Sequence, residues 1–144
     1  MNWLFFALLT AFSFGLYNFF IKVASGSINQ ILGAVLLQLV AVIAGLAVLA
    51  YLKISNQNIE YTTKGIYYSC LAGLFVGIAE ILTFYVFSKG VPASVGTPVI
   101  IGGSIVAATI LGILFLKEQM SLIQILGILM ITGGVALLSL NAKH

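Results

Sequence analysis

Of the 144 residues, 62% are hydrophobic and 6% charged, where a soluble domain would carry about a quarter charged residues. So much apolar surface cannot be hidden in one small core, and lipid is the solvent that fits. The formal charge of +3 comes from lysines standing singly at the ends of apolar runs, which excludes the clustered basic face of a nucleic-acid binder.

A helix needs about 20 mostly apolar residues to cross a bilayer. Five stretches meet that, at about 3–21, 28–52, 65–88, 93–116 and 122–140. The expected fold is all-α and integral to the membrane, with residues 1–144 forming a single transmembrane domain. The chain runs into apolar sequence with no basic n-region, so the first stretch reads as a retained span and not a cleaved signal peptide.

The first span carries Trp3, Thr10, Phe14 and Tyr17 along one stripe, with Ser13 beside it. Aromatics and hydroxyls facing one way suit a pocket for an organic molecule. Trp3 and Tyr17 also fit an interfacial aromatic belt. Asn18 falls about a quarter turn off the stripe. In the second span Gln38 is the central polar side chain and shares a face with Ala34, Ala41 and Gly45, the pattern of a polar group joining helices.

The third span contains Glu80, roughly 5 Å past the span's middle at 1.5 Å rise per residue. A charged side chain at that depth costs about 2.5–3.5 kcal/mol, so Glu80 should face a cavity or a partner. A carboxyl there can gain and lose a proton, or remain neutral and bond a neighbouring helix. Ser69, Gly73, Gly77, Glu80, Phe84 and Phe87 recur at three- and four-residue steps and share one stripe. Gly73 and Gly77 make a small-xxx-small pair that lets another backbone approach.

The fourth span holds Pro98 and the pair Gly102–Gly103 in its first half. Proline removes a helix hydrogen bond, and interrupted spans often mark transporter sites; an ordinary membrane proline is the plainer reading. Pro98 and Gly102 are the candidate gating kink. In the fifth span Gly127 and Gly134 share a face suited to close packing, including with a second subunit. Lys89-Gly90-Val91-Pro92 joins spans three and four, with Gly90 closing a helix and Pro92 opening the next. Ser121 and Gln124 have the spacing of a capping box.

An odd number of spans puts the ends of the sequence on opposite sides. Lys53, Lys64 and Lys117 lie on one side, and Lys22, Lys89 and Lys143 on the other. Lysine and arginine bias sets orientation, and three against three gives no instruction. The tie is either chance among few charges or dual topology, in which copies insert both ways.

Enzyme constellations are missing from the sequence. The single histidine is His144, there is no aspartate, and Glu60 and Glu118 read as surface residues. No metal cluster or cofactor is expected within one chain. Cys70 is the lone cysteine, so no internal disulfide can form.

The residues from Gly77 to Leu140 resemble the C-terminal part of an EamA domain of the drug/metabolite transporter superfamily. The resemblance rests on Phe84-Tyr85-Val86-Phe87-Ser88-Lys89-Gly90, on Thr97-Pro98-Val99, and on Leu114-Phe115-Leu116-Lys117-Glu118. It continues through Gln124-Ile125-Leu126-Gly127 and Gly133-Gly134-Val135. Leu8 to Lys22, with Phe14-Gly15, resembles the domain's opening helix.

Most members of that family carry two such domains in inverted orientation, and this sequence has one. The resemblance therefore implies one half of an inverted-repeat transporter, completed by a second copy. Small multidrug resistance proteins, four-span relatives, pair antiparallel in this way, and beside them the even lysine count reads as dual topology.

The resemblance also implies a cavity lined by the first, third and fourth spans and a small metabolite or drug as substrate. The expectation is a multi-pass protein of the cell membrane, an antiparallel homodimer working by alternating access, with Glu80 as proton or cation site. Glu80, Thr10, Tyr17, Phe84 and Trp3 are the candidate binding residues, and Gly73, Gly77, Gly127 and Gly134 the candidate packing residues. The alternative is a non-transporting scaffold or accessory subunit that uses only the glycine faces.

Overall fold

The computed structural model describes residues 3–140. Lys143 and His144, on which the lysine count and the histidine reading drew, lie outside them. The described residues form five α-helices and no strand: α1 (Trp3–Ser25), α2 (Gln30–Ile54), α3 (Thr63–Ser88), α4 (Ala93–Leu116) and α5 (Leu122–Leu140). All five are long and apolar enough to cross a membrane.

Helix ends follow capping chemistry where apolarity alone reads them differently. α1 continues past Lys22 to Ser25, because a lysine ends the apolar run without ending the hydrogen-bonded backbone. α2 starts at Gln30 and not at Ile28, since Asn29 caps it: its Oδ1 accepts from the Ile31 and Leu32 amides at 3.0 and 3.3 Å. α3 starts two residues before the apolar reading, with the Thr62 hydroxyl accepting from the Gly65 amide at 3.0 Å. Gly90 follows α3 with φ +90°, the left-handed conformation that favours glycine after a helix. At α5 the capping box forms in both directions. The Ser121 amide donates to Gln124 Oε1 at 2.8 Å, and the Gln124 amide donates to Ser121 Oγ at 3.3 Å.

Large apolar side chains cover the outside of the helices. Val40 is 66% exposed, Phe75 68% and Leu114 67%. Apolar patches this extensive are not carried by soluble monomers, whereas in a bilayer they meet acyl chains. α-Helices are one of the two structures that satisfy every backbone group there.

The described residues divide into two compact units, one of residues 3–18 with 90–140 and one of residues 19–89. In the first, α4 and α5 pack together. A Cβ built on Gly102 would lie 2.6 Å from Val135 Cγ2, so only glycine lets the two helices sit this close. α4 ends at Lys117, whose backbone is left-handed, and the next amide, that of Glu118, donates to the Gly112 carbonyl at 3.2 Å.

In the second unit, α2 and α3 pack together. Gly33 is the counterpart of Gly102, since its Cβ would lie 2.7 Å from the Phe84 ring. The last turns of α1 join them through Lys22, whose Nζ donates to the Phe87 carbonyl at 3.2 Å. That cation meets the negative end of the α3 dipole. Gln30 Nε2 donates to Ser88 Oγ at 3.2 Å, so polar side chains tie all three helices at one level.

Candidate functional site

Within the second unit, the C-terminal half of α3 carries its buried residues: Glu80, Thr83, Phe84 and Phe87. At 100° per residue these form one face, with Glu80 at its centre. Thr83 and Phe87 lie to one flank, Gly77 and Phe84 to the other. The N-terminal half of the same stripe, with Ser69 and Gly73, is exposed. Burial along α3 thus begins where the carboxyl sits.

Glu80 is 9% exposed. Its Oε2 is buried and finds no hydrogen-bond partner among the described residues. Native structures leave few polar atoms in this condition, and membrane depth makes it costlier. The neighbouring groups do not relieve it. The Thr83 hydroxyl donates to the Ala79 carbonyl at 2.8 Å, its own helix's backbone. Lys22 is engaged at Phe87, two turns away.

Phe84, which sequence reasoning placed among the binding residues, is buried with its ring against Gly33. Gly77 faces α2 as well: its Cβ would lie 3.6 Å from Gln38 Nε2 and 3.7 Å from Gln38 Oε1. Gly73 has nothing within 4 Å of a built Cβ.

Within the first unit, Thr10 and Phe14 come together with Ala7, Ala11, Ile101 and Ser104 around a groove of about 470 Å³ between α1 and α4. The volume suits a small organic molecule. Thr10 Oγ1 donates to the Phe6 carbonyl at 2.8 Å and Ser104 Oγ to the Ile101 carbonyl at 2.7 Å. Both hydroxyl oxygens therefore remain free to accept. Tyr17 meets Phe14 edge to face, with ring centroids 5.9 Å apart, one turn beyond the groove. Trp3 is 76% exposed in the first turn of α1 and does not line it. Pro98 is half-buried inside α4, one turn before Gly102.

Four polar residues acquire a place that sequence reasoning did not give them. Asn18 is buried, its Nδ2 donating to the Phe14 carbonyl at 2.9 Å; an amide deep in an apolar span was the signal available. Thr83 is buried three residues from Glu80, readable as its neighbour on the helix face. Ser104 joins Thr10 in the groove, which no spacing within one helix reveals. Glu118, read as a surface residue, lays its carboxylate over Gly112, whose Cβ would lie 2.5 Å from Oε2. It lines an open cavity of about 590 Å³ together with Thr109, Gln124 and Gly127.

Gly127 and Gly134 have nothing within 4 Å of a built Cβ, and α5 has no buried residue. No group of three or more metal-ligating side chains occurs among the described residues.

Residues 1–140 match the EamA-like transporter family. An uncharacterized protein of Methanocaldococcus jannaschii is 34% identical over 136 residues, which covers 93% of this chain and 93% of that protein. No solved structure matches the chain.

Proposed function

Because the chain belongs to the EamA-like transporter family, we propose that it is a secondary transporter of a small metabolite or drug. It works in the cell membrane as an antiparallel homodimer by alternating access, with residues 1–144 acting as one EamA-like domain. Glu80 is the proton or cation site. The observation that carries this reading is the buried, unpartnered Oε2 of Glu80 within a span. A carboxyl kept there at a cost of about 2.5–3.5 kcal/mol is better explained by exchange of a proton or cation than by folding, to which it contributes nothing visible.

The groove at Thr10 and Phe14, with Tyr17 beyond it, is the proposed substrate face, lined by apolar surface and two hydroxyl oxygens free to accept. Trp3 belongs to the approach to that face at the membrane surface. Phe84 acts behind Glu80, holding α3 against α2 so that the carboxyl keeps its depth. Pro98 leaves one backbone carbonyl of α4 without its helical partner, and with Gly102 it forms the flexing point. Gly73 and Gly134, with no atoms against them, and Gly127, at the open cavity it shares with Thr109 and Glu118, are the surfaces by which a second copy docks.

The open glycines serve a non-transporting scaffold equally well, but a scaffold has no use for Glu80. Protein purified alone and placed in liposomes separates the two readings. A thermal-shift screen of metabolites picks the solute, and uptake driven by a pH gradient measures transport. Accumulation that Glu80→Gln removes is the expected result. Absence of uptake for every stabilising solute would favour the scaffold.

A further inference from the structure

Glu80 needs a partner that can follow it through a change of protonation. An ionised carboxylate only accepts hydrogen bonds, while a neutral carboxyl also donates one. A hydroxyl already committed to its own helix, such as Thr83, serves the two states unequally. A primary amide serves both, because its NH₂ donates and its carbonyl accepts, and rotation of the terminal torsion exchanges them.

One such amide lies at the right level. Gln38 is half-buried on α2, and its Nε2 and Oε1 lie 3.6 and 3.7 Å from where Gly77 would carry a Cβ. Gly77 is three residues before Glu80. Helical side chains lean toward the N-terminus and cover the turn before their own Cα, so the Glu80 carboxyl leans toward the level of Gly77. Residues three apart on a helix have Cβ atoms about 5–6 Å apart, within reach of two extended side chains. Glycine at 77 puts no side chain in the space between the two polar heads. The two amide atoms lie at near-equal distances from that point, so the amide lies flat against α3 at Gly77 with neither end favoured.

We infer that Gln38 is the positioning residue of the Glu80 site: unbonded to the carboxyl in this structure, where Glu80 Oε2 stands unpartnered, its amide turns to bond the carboxyl when a proton is exchanged and reverses its direction between the two protonation states. The inference rests on Glu80 as a proton site and adds the residue that makes exchange possible at that depth.

The charged and titratable groups around this pair are few. On α2 they are Tyr51 and Lys53, at the far end of the helix. On α3 they are Lys64, Tyr67 and Tyr68 in the opening turns, Cys70 next, and Tyr85 toward the other end. On the last turns of α1 it is Lys22, which is bonded at Phe87. None lies within a turn of Glu80 on its own helix, and Gln38 is the polar side chain of α2 at its level.

Infrared difference spectroscopy on protein in lipid, titrated with pH, tests this without a substrate. The C=O stretch of a neutral carboxyl moves to higher frequency when it loses a hydrogen bond. A band that Glu80→Gln removes is assigned to Glu80. Gln38→Met keeps the length of the side chain and deletes both polar atoms, and should shift that band upward. Gly77→Val fills the gap from the other helix and should shift it in the same direction, which covers the case in which Gln38→Met does not fold. Gln38→Glu should split the titration into two coupled steps. A Glu80 band unmoved by Gln38→Met and Gly77→Val would overturn the partnership alone. Absence of any titrating band removed by Glu80→Gln would overturn the proton reading of Glu80 beneath it.

Discussion

α3 and α5 are both apolar, glycine-bearing helices of membrane-spanning length, yet the fold uses them in opposite ways. α3 buries four side chains, one of them a carboxyl, and presses Phe84 onto Gly33. α5 buries none, and its Gly127 and Gly134 face open space. The same residue type therefore has two meanings. Where a Cβ would collide, as at Gly33 and Gly102, glycine serves contacts within the chain. Where nothing lies nearby, glycine serves lipid or a second chain. Without the hydrophobic effect between helices, close backbone approach is a main source of association in a bilayer. An open glycine face is the part of the surface best prepared for a partner helix.

The contrast can be broken most sharply at Glu80. Glu80→Gln should reduce proton-coupled uptake in liposomes to background while leaving the protein inserted and dimeric by crosslinking. Full pH-dependent flux in the variant would make α3 a packing helix like any other.

The next effect concerns the two kinds of glycine. Gly102→Ala should destabilise the fold by about 1–3 kcal/mol, the usual cost of overpacking, because the added Cβ would lie 2.6 Å from Val135 Cγ2 and one of the two helices must shift. Gly127→Ala and Gly134→Ala should each change the stability of a single chain by less than about 0.5 kcal/mol. Gly127→Leu with Gly134→Leu should nonetheless dissociate the proposed dimer. Unfolding in mixed micelles, followed beside crosslinking yield, reads both quantities. Equal destabilisation by all three alanine variants would erase the distinction.

Pro98→Ala restores a helical hydrogen bond to α4. If Pro98 is the proposed flexing point, the variant should slow exchange more than it weakens binding, because such a point governs motion rather than contact. Single-turnover exchange compared with ligand affinity measures the two separately, and unchanged turnover would leave Pro98 a packing residue. The smallest effect belongs to the polar tie at the end of α3. Lys22→Met leaves the Phe87 carbonyl without its donor and should cost about 0.5–1.5 kcal/mol, the net worth of one hydrogen bond, with Glu80 chemistry preserved.

The five helices were legible because about 20 apolar residues bounded by lysines and turn residues admit few other readings. The capping box at Ser121 and the left-handed Gly90 were equally legible, since each depends on neighbours in sequence. Glu80 stood out because charge at depth is costly wherever the chain folds. What could not be read was which residue opposes which across helices. Phe84 lies on the Glu80 stripe, and nothing in the sequence shows that Gly33, some fifty positions earlier, lies against its ring. Ser104 joins Thr10 only because α4 passes α1. Glu118 is exposed and charged, yet Gly112 makes a place for its carboxylate. Periodicity fixes the face of one helix and is silent about its partner.

The central claim is that two copies in opposite orientations make one transporter. Orientation tests it directly, by labelling a single cysteine in a connecting segment with a membrane-impermeant reagent on intact cells, after Cys70→Ser. Gln57→Cys serves as the reporter, since its side chain is exposed between α2 and α3. The account predicts that about half the wild-type molecules react from outside. Ser27→Lys should shift that fraction one way and Asn58→Lys the other. Ser27 is preferable to Asn29, which caps α2, and Asn58 to Asn56, whose φ of +52° suits asparagine better than lysine. Each variant alone should lose transport, and the two expressed together should regain it. A wild type labelled wholly or not at all would contradict the antiparallel pair.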